Sequence, residues 1–498
     1  MYPVLPNAPR LIAGVAVLLL WSALPLRAAP ESEPSASTPP EETEPVQVLR
    51  GFSQLSKESA TCMSCHREAS PGIYSQWGHS KHFAANVGCY ECHAADKSDL
   101  DAIMHKDFMI ATIVSPKDCA QCHEREVAEF DASHHASAGN ILGSLDNVLA
   151  EVVEGGPLLN GTSPVVTMGC AGCHGSIVKV NSDGTLDVAT WPNTGVGRIN
   201  PDGSKGACSA CHLRHEFSVA QARNPDNCGR CHLGPDHPQK EIFEESAHGV
   251  TFRANMDRMN LDSAKWVVGE DYNAAPTCAT CHMSRTKDLP VTHDIGDRIS
   301  WNLRAPVSSK IDAKAKTAGK EVKSWIDRRK DMKSICQSCH GRNIADAHFE
   351  QLDAFVHLYN DKFAIPAKRL VTAMAKHGLR DPVKFNEAVE WTYFYLWHHE
   401  GRRARHGAAM FAPDYAHWEG MYEVAHRFYI EMVPEVREAI EKARHEGNSA
   451  GADAVQALLD EILSSELHRW FEGGEPPKFW RPEDSDNHGF EVTKTGTK

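Results

Sequence analysis

Hydrophobic and polar positions divide the chain into unlike stretches. Near the start, an apolar run from Leu11 to Leu24 follows the lone charge of Arg10. The run is too short for a comfortable membrane span. Ala28 and Ala29 come next, so residues 1–29 read as a cleavable secretory signal. Pro30 to Val46 consists largely of Pro, Glu, Ser and Thr. Such a composition cannot bury a core, which predicts a disordered leader over 30–50. Far downstream, apolar residues return at helical spacing: Phe349-Leu352-Phe355-Val356-Tyr359, Phe385-Ala388-Val389-Thr392, Tyr422-Ala425-His426-Tyr429 and Val455-Leu458-Leu459-Ile462-Leu463. They predict roughly three to five helices in a haem-free bundle over 345–470, with Pro366, Pro382, Pro413 and Pro434 as breaks or kinks. The polar tail, 471–498, reads as loose. The stretch from Gly175 to Gly206 has the Gly, Asn, Asp and Thr of turns. It is either a surface loop or a wall for whatever Cys170 and Cys173 hold.

The cysteines decide the chemistry. All 16 fall in Cys-x-x-Cys-His boxes: Cys62-Cys65-His66, Cys89-Cys92-His93, Cys119-Cys122-His123, Cys170-Cys173-His174, Cys208-Cys211-His212, Cys228-Cys231-His232, Cys278-Cys281-His282 and Cys336-Cys339-His340. Two thiols three positions apart can each form a thioether to a porphyrin vinyl group, and the next histidine reaches the iron. No cysteine is left for a disulfide framework, and zinc does not require a histidine after every second cysteine. The region 51–344 is therefore read as carrying eight covalent c-type haems. Haems would fill much of its interior. The expected fold class is mainly α: a multihaem cytochrome c body with a C-terminal helical bundle and little β. Covalent haem attachment fits export, hence a periplasmic protein with no membrane span after cleavage. The formal net charge of -14 argues against nucleic acid and anionic membranes as partners. Each box histidine is a first axial ligand. Second ligands are sought among His79, His82, His105, His134, His135, His215, His248, His293, His348 and His357, and sequence alone does not pair them with particular haems.

A second constellation runs from Trp391 to Glu423, dense in aromatics, with His398, His399, His406 and His417 around Arg402, Arg403 and Arg405. Its arginines could clamp haem propionates in fork geometry. Tyr415, in PDYAHW, is a side chain that could be presented to a haem of this subunit or of a neighbour.

The box order, together with CSACHLRHEFSVAQARNPDNCGRCHLGPDHP, PTCATCHMSRTKDLPVTHDIGDRISW and GRRARHGAAMFAPDYAHWEG, resembles the octahaem hydroxylamine oxidoreductase family from about Ser53 to Val433. Every box ends in histidine, unlike relatives with a Cys-x-x-Cys-Lys box that reduce nitrite or tetrathionate. The resemblance implies a homotrimer in which the fourth haem, on Cys170 and Cys173 with His174 below the iron, is catalytic. It implies a tyrosine of the next subunit bonded to that haem, best matched by Tyr415, with Tyr422 and Tyr395 as alternatives. It points to Asp236, His237 and Tyr272 as groups that take protons. His237 could instead ligate another haem, Tyr272 could be packing, and Asp202 is a further alternative. The implied reaction is oxidation of hydroxylamine to nitric oxide or nitrite, with electrons passed through seven bis-histidine haems to a c-type cytochrome. Hydrazine is a second substrate. The opposite direction, nitrite or hydroxylamine to ammonia, and a pure electron-transfer cytochrome are the competing readings.

Overall fold

The cysteine boxes fold as tight helical turns. In four of them the histidine N–H donates to the carbonyl of the first cysteine: His123 to Cys119, His212 to Cys208, His232 to Cys228 and His340 to Cys336, at 2.9–3.0 Å. One turn of helix brings residues three and four apart onto one face. The fold thus puts both thiols of a box on one side, with the ligand imidazole beside them. These observations come from a computed structural model, described over residues 55–143, 148–300 and 322–475. The expected signal sequence, the leader and residues 476–498 of the tail lie outside the described residues.

The structure is 56% helix and 5% strand, so the expectation of a mainly α multihaem fold with little β is met. Among the described residues the one two-stranded sheet is a hairpin that pairs Ala102–His105 with Phe108–Ala111 in antiparallel register. It carries His105 at its tip. Among the described residues no helix is long and apolar enough to cross a membrane.

The C-terminal stretch forms four long helices. The first joins Arg342–Tyr359 to Ile365–Lys376 through a π-turn at Asn360–Ala364. The second joins Ala388–Phe394 to Gly401–Ala409 through Tyr395–Glu400. The third runs from Pro413–Ala416 to Val433–His445 with π-turns at His417–Tyr422 and Arg427–Met432. The fourth is Ser449–Ser464, capped by the Asn448 side chain on the Gly451 N–H. Leu370, Leu396, Val424, Phe428, Met432, Val436, Val455 and Leu459 are among the residues that close their common core.

Two expectations change here. Pro366 and Pro434 do not end helices. Each follows a π-turn within a continuous helix, where the widened ladder accommodates a residue that has no N–H to give. The π-turns also rotate the buried face. Val424, Phe428 and Tyr429 are buried, whereas Tyr422, expected in the stripe, is 50% exposed. Phe385 precedes its helix, which starts at Ala388.

Candidate haem array and active site

Six box histidines face a second imidazole. The ring centroids of His66 and His105 are 6.1 Å apart, His93 and His215 6.5 Å, and His123 and His82 6.3 Å. Those of His212 and His293 are 6.5 Å apart, His232 and His135 6.0 Å, and His340 and His248 6.1 Å. An imidazole nitrogen binds a metal at about 2 Å, and the ring centre lies about 1 Å behind it. Two rings on opposite sides of one iron therefore have centroids about 6 Å apart. The spacing fits one haem iron in each pair. His93 also donates from Nδ1 to the Ala111 carbonyl at 2.9 Å, which leaves Nε2 for a metal. This pairing was out of reach of the sequence, because partners lie up to 122 positions apart, as in His93 and His215. His79, His134 and His357 are not among the six pairs. His79 is exposed, with Nδ1 on the Ser75 carbonyl at 2.7 Å. His357 lies exposed on the first long helix. His348 stacks on Phe411 at 4.1 Å.

Neighbouring thiols give the order of the boxes in space. The first lies beside the second through Cys62 and Cys89, and the second beside the third through Cys92 and Cys119. Cys119 lies beside Cys208 of the fifth box, and Cys211 beside Cys228 of the sixth. Cys228 lies beside Cys278 of the seventh, and Cys281 beside Cys336 of the eighth. The fourth box joins this line at the sixth, where Cys173 lies beside Cys231. A line of seven with one branch is an arrangement for moving electrons to or from the branch.

The turn-rich stretch after the fourth box folds back onto it. Val196 and Gly197 donate to the carbonyls of Cys173 and His174 at 3.0 and 3.1 Å. Asn193 Nδ2 donates to Ser176 Oγ at 2.8 Å, and Arg198, 1% exposed, reaches Val114 and Asn200. A Cβ at Gly195 would lie 2.0 Å from the Gly175 nitrogen, and one at Gly175 2.3 Å from the Arg198 nitrogen. Only glycines allow this approach. The stretch is thus packed on the backbone of the box rather than standing away from it as a free loop. Gly197 extends it to the His135 carbonyl, beside the second imidazole of the sixth box.

Asp236 and His237 sit between the fourth and sixth boxes. His237 donates from Nδ1 to Asp236 Oδ1 and from Nε2 to the Cys231 carbonyl, the latter at 2.9 Å. Both of these partners can only accept, so the ring is held as an imidazolium. Burial pulls its pKa down, but the bond and charge of Asp236 lift it above the ordinary value. Burial raises the Asp236 carboxyl, but the hydrogen bond from His237 and the charges of His237, His398 and Arg402 outweigh it and hold the group down at about 2. With both ring nitrogens engaged, His237 is not placed as another haem's ligand. Cys173 lies within electrostatic reach of it.

The other proposed proton acceptors go elsewhere. Tyr272 is buried against Trp266, ring to ring at 4.4 Å, and its hydroxyl bonds Thr280 Oγ1 of the seventh box at 2.8 Å. Burial raises its pKa. These contacts place it at the seventh box. Asp202 accepts from Ser115 Oγ at 2.6 Å and from the Ser204 N–H at 2.8 Å, and holds a turn. The arginines of the second constellation find protein partners. Arg402 binds Asp236, Arg403 binds Glu419, and Arg405 lies over the Tyr359 ring and donates to the Gly401 carbonyl. Tyr415 is half-buried near Glu241, Glu245, Glu419 and Arg403, on the third long helix. Trp418 and Tyr422 beside it are 56% and 50% exposed. Tyr395 lies under the Arg427 guanidinium at 4.9 Å.

Comparison with known proteins supports the haem reading. Residues 200–387 match the family described as "Seven times multi-haem cytochrome CxxCH", and residues 31–94 match "Cytochrome c554 and c-prime". Over 346 residues the chain is 25% identical to a probable nitrite reductase-hydroxylamine oxidoreductase fusion protein of Kuenenia stuttgartiensis. The match covers 59% of this chain but 35% of that protein, so the chain spans about a third of its curated relative's length. A solved hypothetical multiheme protein superposes with a TM-score of 0.66 at 27% identity, covering 80% of this chain and 97% of the other. The fold is also that of a Kuenenia stuttgartiensis reducing HAO-like protein complex, at a TM-score of 0.57 and 20% identity, covering 78% and 87%.

Proposed function

We propose that this chain, a multihaem c-type cytochrome with hydroxylamine oxidoreductase-like homology, is an exported enzyme that oxidises hydroxylamine at the fourth haem. The observation that carries the proposal is the fourth box as a branch on the line of seven, next to the Asp236–His237 pair. Oxidation of hydroxylamine to nitric oxide releases three protons and three electrons. Adding water to reach nitrite releases five protons and four electrons. A haem held by Cys170, Cys173 and His174 supplies an iron that takes electrons from such a substrate. The chain's own residues do the rest. The wall 193–206 fixes the backbone of the box, and Asp236 and His237 hold and relay protons within hydrogen-bond reach of each other. The line of paired histidines supports an electron path to a c-type cytochrome. His134 is assigned as second ligand of the seventh iron. It lies beside Gly296, and His282 lies near the backbone of the adjacent Ile295, so both flank one segment.

Tyr415 is proposed to reach the fourth haem of a neighbouring copy in a homotrimer. The exposed aromatics around it, Trp418 and Tyr422, support a contact with another chain. Hydroxylamine-dependent reduction of a c-type cytochrome by the haem-loaded protein tests the proposal, and loss of activity and of any red-shifted haem band in Tyr415→Phe tests the tyrosine.

One observation favours a second reading. Both ring nitrogens of His237 face acceptors and Asp236 lifts its pKa, an arrangement that favours the imidazolium and so a proton donor. Proton donation suits reduction of nitrite or hydroxylamine to ammonia. Turnover with a chemical reductant and nitrite, compared with hydroxylamine and an oxidised cytochrome, separates the two directions.

A further inference from the structure

The second long helix grips the segment after the sixth box at two points. Arg402 Nη1 donates to Asp236 Oδ2 at 2.9 Å. One turn later, His406 Nε2 accepts from the Gln239 amide at 3.2 Å. Residues four apart share one face of a helix. Both contacts therefore come from one face and close on a short stretch, Asp236 to Gln239, that is not helical until Gln239. Arg402 is itself seated, its guanidinium 5.5 Å from the centre of the Trp397 ring. His398 Nδ1, from the preceding turn, lies 3.9 Å from the same Asp236 oxygen.

Asp236 thus has two loads on its two oxygens. Oδ1 holds the His237 ring, and Oδ2 is held by Arg402. A planar guanidinium fixes a carboxylate in direction as well as in charge. We propose that Arg402 is a positioning residue for proton transfer at the fourth haem: it locks the Asp236 carboxylate so that His237 keeps one orientation. It acts in either direction of the reaction. The inference rests on reading Asp236 and His237 as the proton-transfer pair. It also gives the cysteine-free helices a role in the site: they supply a rigid clamp from 166 positions downstream of Asp236.

The test compares haem-loaded wild type with Arg402→Gln, Arg402→Lys, Asp236→Asn and the double variant Arg402→Gln/Asp236→Asn. Rates are normalised to haem content, and kcat, KM and the kinetic effect of D2O are measured with hydroxylamine. Removing a group that orients a functional side chain typically costs about 10- to 100-fold. The expected result is a fall of that size in kcat for Arg402→Gln, with KM and the haem spectrum unchanged and a larger D2O effect. Lysine recovers part of the rate. The double variant is no slower than Asp236→Asn, because the two residues act through one group. A kcat within twofold of wild type for Arg402→Gln, or losses that simply multiply in the double variant, overturns the inference. A wild type that turns over neither hydroxylamine nor nitrite overturns the underlying reading instead, and the two failures are told apart by the wild-type rate.

Discussion

His237 shows how much of the site rests on single contacts. Its sequence context, GPDHP, permits a haem ligand or a proton carrier. Bonds at both ring nitrogens leave neither turned to an iron, which supports the second. Replacing Asp236 by asparagine keeps the shape but removes the charge that holds the imidazolium. We expect kcat to fall by about 100-fold or more, in the range of general acid–base effects, with the haem absorption spectrum unchanged; a rate close to wild type would remove the pair from the mechanism. A second residue-level prediction concerns the paired histidines. His293→Ala removes the ring opposite His212, so one haem per chain should lose its second protein ligand. Electron paramagnetic resonance should then show a new high-spin ferric signal; an unchanged spectrum would contradict that pairing. At this scale the boxes were legible, because covalent attachment demands five residues in a row. The second ligands were not, because their identity is set by which loops meet across an iron. The Arg402–Asp236 link was equally hidden, since nothing local to either residue announces the other.

Among the elements, the glycine wall is the least forgiving. Gly195 approaches Gly175 and the Ala171 carbonyl so closely that a Cβ would lie 2.0 and 2.4 Å from backbone atoms. Backbone cannot yield as a flexible side chain does. Gly195→Ala should therefore lower the yield of protein carrying the fourth haem and reduce thermal stability, while a glycine outside the boxes with no neighbour within 4 Å of an added Cβ, Gly72, should accept alanine with little change. The helical core makes the complementary prediction. Leu459 is fully buried among the four long helices, and truncation to alanine should cost about 2–5 kcal/mol in denaturant unfolding while leaving each haem's spectrum intact. Helices were legible from apolar spacing at Leu352, Val356, Val455 and Leu459. The buried face of the third helix was misread because the π-turns at His417–Tyr422 and Arg427–Met432 each rotate the pattern. A period of 3.6 assumes an unbroken ladder. The composition of the turn-rich stretch 175–206 left loop and wall both open, since its contacts with the box itself are made by backbone.

For the whole molecule, the arrangement is a line of boxes with a side branch at the fourth. Mass spectrometry of the intact exported protein should give the chain plus eight haem c groups; fewer would break the line as drawn. With haems held by these boxes, electrons released at the fourth would enter at the sixth, where Cys173 lies beside Cys231, and would leave by either arm. The most direct measurement of the central claim mixes the haem-loaded protein with hydroxylamine in the absence of oxygen and follows the c-type haem absorption. The account predicts that hydroxylamine reduces several haems per chain, with nitric oxide or nitrite formed, and that Tyr415→Phe abolishes this while reduction by dithionite is retained. Haems that dithionite reduces but hydroxylamine leaves oxidised, all eight of them low-spin and six-coordinate, would contradict it.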